Sequence, residues 1–106
     1  MDNSQRYAEL LTQALRRVVR DRANVGRLKV RSVCDVEAGQ FLIIATGWEM
    51  DSWRDVILFH AWLKDGKVVV EENNFEKMLE DLLAVGIAES DIVDAEELEE
   101  MERSLV

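Results

Sequence analysis

The chain has no proline, one cysteine, one histidine and five glycines among 106 residues. With Cys34 alone, no disulfide can form within it. Cys34 and His60 together fall short of the roughly four Cys or His ligands of a structural zinc site. No apolar run approaches the ~20 residues that a bilayer-spanning helix needs. The start, Met1 to Gln5, is polar and leads into an arginine-rich stretch, unlike a secretory leader. These lacks predict a cytoplasmic protein. Hydrophobic residues at 48% and charged residues at 33% indicate a globular chain, and its length suits one domain spanning 1–106.

Positive charge is scarce, and it is concentrated at the front. Residues 1–31 hold eight Lys/Arg and three Asp/Glu, whereas residues 32–106 hold five and nineteen. The net charge of −9 is therefore split into +5 and −14. Such a dipole orients a partner, or another copy of the same chain.

The periodicity predicts an α+β fold. Tyr7, Leu10, Leu11, Ala14, Leu15, Val18 and Val19 recur at helical spacing over 4–22, with Asn24 and Gly26 as the stop. Leu28 to Val36 alternates as a half-exposed strand, with Lys29 and Arg31 opposite Val30 and Cys34. Phe41 to Trp48 and Trp53 to Leu63 are apolar on both faces. Asp65-Gly66 is a type I′ hairpin signal leading into a strand at Val68–Val70. Asn73 with Glu76 reads as a capping pair for a second helix with the buried stripe Phe75, Met78, Leu79, Leu82 and Leu83, closed by Gly86. Ile87, Ile92 and Val93 form a tail across the core. Asp94 caps a short acidic C-terminal helix over about 95–104, with Leu98, Met101 and Leu105 as its apolar edge. The expected architecture is a four-stranded antiparallel meander with an N-terminal helix and a helix after the fourth strand.

Two doubly apolar strands need cover on both faces. The N-terminal and second helices can cover one, the alternative being that they split, one to each face. The acidic last helix is too polar to cover the other. A second protomer is the expected lid, with Trp48, Val56, Leu58, His60 and Trp62 as the interface.

No catalytic constellation stands out, and no enzyme, metal or cofactor is predicted. His60 reads as a strand residue with a hydrogen-bond partner rather than a general base. A Cys34–His60 nucleophile lacks an orienting group. Asp65, Glu71, Glu72 and Glu76 could gather around magnesium, but the turn explains Asp65 and the cap explains Glu76. Arg16, Arg17, Arg20 and Lys29 are the candidate phosphate contacts for DNA. Six acids within Asp94–Glu102 could instead occupy the DNA-binding groove of a partner.

Taken in order, these motifs resemble the XisI family, the fdxN element excision controlling factors of cyanobacteria. The likeness rests on Gly47-Trp48 ending the second strand, His60 in the third, Asp65-Gly66-Lys67 before Val68-Val69-Val70, then Gly86-Ile87 and Asp91-Ile92-Val93, with Tyr7 opening the first helix. It covers about residues 5–93. The chain departs from the family pattern after the fourth strand, at Asn73-Asn74-Phe75, and after Val93, where Asp94-Ala95-Glu96-Glu97 stands. The resemblance implies a non-enzymatic accessory factor in DNA excision, working with a site-specific recombinase and a nuclease-like companion, XisH. A direct DNA-binding directionality factor is the competing reading.

Overall fold

The computed structural model of the chain describes residues 3–21 and 26–104. Helix α1 (Ser4–Asp21) precedes four antiparallel strands: β1 (Lys29–Asp35), β2 (Gln40–Glu49), β3 (Ser52–Lys64) and β4 (Lys67–Asn73). Helix α2 (Met78–Ala84), a 3₁₀ turn (Glu89–Asp91), strand β5 (Ile92–Asp94) and helix α3 (Ala95–Ser104) follow. The strands lie in the order β1-β2-β3-β4-β5, and β5 runs parallel to β4. The α+β class is the expected one. The tail across the core is a fifth strand, so the sheet is mixed.

Helix α1 buries Tyr7, Leu11, Ala14, Leu15 and Val18 in one core with Phe41, Ile43 and Ala45 of β2 and Phe59 and Ala61 of β3. Its predicted stop at Asn24 lies outside the described residues, as does Leu105. The hairpin between β3 and β4 turns at Asp65 and Gly66, both with positive φ, as a type I′ turn requires. Helices α1 and α2 contact each other, and their buried side chains share the core on this one face of the sheet.

The second helix starts later than the capping pattern implies. Strand β4 runs on to Asn73, and the Asn74 N–H donates to the Leu58 carbonyl. The Asn73 side chain accepts from the Phe75 N–H, a local turn that competes with helix formation. Helix α2 begins at Met78 without a side-chain cap. Only Met78 and Leu82 of its expected stripe are buried; Leu79 and Leu83 are exposed. Its end follows the sequence. The Gly86 N–H donates to Leu83 and the Ile87 N–H to Leu82, a Schellman motif with Gly86 at φ 111° and Ile87 in the core.

Tyr7 and Asp91 join the two ends of this core. The Tyr7 hydroxyl donates to Asp91, whose other oxygen accepts from Lys67 at 3.1 Å. The Tyr7 bond lowers the Asp91 pKa from 3.8, with Lys67 adding to the effect. The same bond, with burial, raises Tyr7 above 10.0. A carboxyl held below its unfolded pKa stabilises the fold while ionised, and that share is lost as pH falls through the lowered value. The Tyr7 share is intact below 10.0 and is lost only as pH rises through its raised value.

Two measurements check this framework. Gly86→Ala places a Cβ in ordinary contact with Leu10 and Arg6, so its cost is backbone strain at φ 111°. It should lower unfolding stability by roughly 1–3 kcal/mol in urea titration. Asp91→Asn should lower the urea midpoint at neutral pH, and the gap to the unsubstituted protein should close as pH drops below about 4. A gap unchanged in acid would assign the loss to packing.

Candidate interaction face

The second face of the sheet is set by two irregularities in β3 and β4. Ile43 pairs with Phe59, but Ile44 pairs with Ile57, so Leu58 is an extra residue in β3. A bulge of this kind resets the alternation of everything before it. Phe59 and Val56 thus share the helix-covered face, and Leu58 itself is buried in the core at 9% exposure. Ile57, Asp55 and Trp53 turn to the opposite face. A second shift in β4 brings Glu71 out of register beside His60.

The open face is therefore a grid of cross-strand rows. Trp48 pairs with Trp53, and their rings meet edge to face with centroids 6.0 Å apart. The next row is Lys29, Thr46 and Asp55; then come Arg31, Ile44 and Ile57; then Val33, Leu42 and His60. Trp48 is 63% exposed, Trp53 58%, Ile57 45% and Val33 44%. Basic side chains line the β1 margin, and Asp55 and Glu71 lie on the β3–β4 side.

Helix α3 covers the far end of this face, contrary to the expectation that it is too polar to do so. It packs on β4 and β5, and Leu98 and Ala95 line a cleft with Trp62. Val69, paired with Trp62, is fully buried there. Asp94 caps the helix as predicted, accepting from the Glu96 N–H at 2.8 Å. Lys64 reaches back to Glu102.

The predicted interface residues divide. Trp48, His60 and Trp62 lie on the open face; Val56 and Leu58 pack into the core. His60 holds Glu71 through Nδ1 at 2.8 Å and Gln40 through Nε2 at 2.7 Å, so it is a partnered strand residue. Cys34 belongs to the opposite face, where burial pushes its thiol pKa up against a smaller pull from Thr12. It cannot meet His60. Among the described residues, no group of three or more Asp, Glu, His or Cys side chains is arranged to hold a metal ion.

The arginine arc is also divided. Arg16, Arg17 and Arg20 line a shallow cleft on the outer side of α1. Lys29 and Arg31 point from the opposite face of the sheet, so the candidate phosphate contacts do not form one patch. Arg20 pairs with Asp21 at 2.8 Å. A separate groove of about 400 Å³ runs between β4–β5, α2 and the start of α3. Phe59, Met78 and Ile92 form its apolar floor, and Glu89, Asp94 and Glu97 its rim.

The fold has counterparts of known family. The family model described as XisI protein matches residues 1–104. The chain belongs to the XisI family. It is similar to the crystal structure of a XisI-like protein from Anabaena variabilis ATCC 29413, at 25% identity and a TM-score of 0.72, over 83% of this chain and 82% of that one. The fdxN element excision controlling factor XisI from the same organism shares the fold at 19% identity and a TM-score of 0.67, over 82% of this chain and 86% of that one. No curated protein matches the chain.

Within this XisI fold, Trp53 and Ile57 are the face residues that strand-by-strand reading missed. The signal was present. Folding the sequence about Met50-Asp51 sets Trp48 against Trp53 and Ile44 against Ile57, as the ladder does. The bulge makes a direct prediction. Leu58→Ala should cost about 2–5 kcal/mol as a core truncation. Ile57→Ala, one residue away and half exposed, should cost the dissociated chain under about 1 kcal/mol in the same denaturation assay at high dilution.

Proposed function

We propose that this chain is a non-enzymatic regulatory factor in DNA excision or rearrangement, acting through contact with a nuclease-type partner that resembles XisH. Membership of the XisI family and the excision-control role carried in the name of its fold relative support the setting. The observation that carries the mode of action is the acidic outer side of α3. Glu96, Glu97, Glu99 and Glu100 are all exposed, and Glu97 with Asp94 and Glu89 rims the apolar groove. A nuclease binds phosphates through basic side chains. An acidic helix beside an apolar groove offers such a surface both a charge match and a place to bury an apolar residue. Occupying it would restrain the partner until DNA or a recombinase displaces the contact.

Direct DNA binding by this chain has less to stand on. Among the described residues the basic side chains are divided between the outer side of α1 and the β1 margin, and phosphate affinity grows with the number of contacts one surface can make.

Co-elution in size exclusion with a XisH-like protein from the same genome is the test. A stable mixed peak is expected, and Glu96→Lys with Glu97→Lys and Glu100→Lys should abolish it. No mixed peak, together with DNA affinity that falls on Arg16→Ala with Arg20→Ala, would overturn the reading in favour of the directionality factor.

A further inference from the structure

Two large aromatic side chains and several aliphatic ones remain exposed on the open face, and their arrangement says what covers them. The exposed parts of Trp48, Trp53, Ile57 and Val33 alone supply roughly half of the ~800 Å² per partner that a stable interface buries. Trp48, Ile44 and Leu42 run in a line along β2. Lys29 on β1 and Asp55 on β3 flank that line in one cross-strand row, both joined through Thr46. They lie two strand spacings apart, ~10 Å. Charge thus changes sign from one side of an apolar stripe to the other.

We propose that this face is a two-fold interface with a second copy of the chain, the axis running along β2. Rotation about that axis exchanges left and right while keeping each row level. Lys29 of one copy then stands over Asp55 of the other, and the reverse contact forms symmetrically. Arg31 is within diagonal reach of the same aspartate. Trp48, Ile44 and Leu42 meet their own counterparts on the axis. Helix α3 rises beside the bare area by about one helix diameter, ~10 Å, which is also the separation of two packed sheets. The second sheet therefore fits beside α3 without displacing it. An interface of this form leaves the acidic outer side of α3 and its groove free, so it does not depend on the partner reading above.

Light scattering after size exclusion, across a dilution series of the full chain, tests the proposal. The unsubstituted protein should elute at twice 12.2 kDa. Ile57→Lys places a charge beside the stripe at an exposed position, in the row where the two-fold brings Arg31 of the other copy, and should elute at 12.2 kDa with an unchanged far-ultraviolet circular dichroism spectrum. Lys29→Asp and Asp55→Lys should each weaken the dimer at least tenfold, and the two together should restore it. A tryptophan emission maximum that shifts to the red on dilution should accompany dissociation. A monomer at every concentration would overturn the proposal. So would a dimer that survives Ile57→Lys, which would lie elsewhere. Failure of the charge swap to restore association would overturn the strand-aligned axis.

Discussion

In an extended strand, neighbouring side chains point to opposite faces, and one inserted residue exchanges the two sets. The bulge at Leu58 makes that exchange in β3, between the strand's two halves. Phe59 and Ala61 after it, and Val56 before it, all reach the same core under α1. Ile57 and Trp53 are turned out as a result, in line with Ile44 and Trp48 on β2. The core under α1, the bare face and the placement of Asp55 opposite Lys29 all depend on that single extra residue.

The chain covers its two faces unequally. Helices α1 and α2 both lie on one, and α3 shields only the β4–β5 end of the other. Polar composition did not keep α3 off the sheet, because a helix needs only a narrow apolar edge to dock. Leu98 and Ala95 are sufficient against Trp62, while the glutamates stay in solvent. The acidic helix is thus both a structural cover and a strongly negative exposed surface. Its glutamates contribute little to folding stability at such exposure, which leaves their charge available to a partner.

Much of this was legible in the residues. The α1 stripe, the Asp65-Gly66 turn, the Gly86 stop and the Asp94 cap each follow from local chemistry, and each appears where its residues put it. The misreadings arose where tertiary context decides. Alternation carries no mark of a bulge, so on its own it puts Val56 and Leu58 on the wrong face. Strand β5 has three residues and exists only because β4 offers a free edge beside it. Asn73 looks like a helix cap, but pairing extends β4 up to it and its side chain closes a turn instead. The basic residues are close along the sequence, yet α1 and β1 present Arg16 and Lys29 on opposite sides of the molecule.

The Tyr7–Asp91 bond links residues 84 positions apart. Loop closure over that separation costs more entropy than closing any hairpin of the meander. The meander can assemble from neighbouring strands, whereas this contact must wait until the chain has returned past β4. That separation predicts a late place in folding, and a contact made after the transition state holds back unfolding without setting the speed of folding. The first helix and the 3₁₀ turn ahead of the fifth strand are in this sense a clasp, expected to govern how long the closed protein lasts more than how fast it forms.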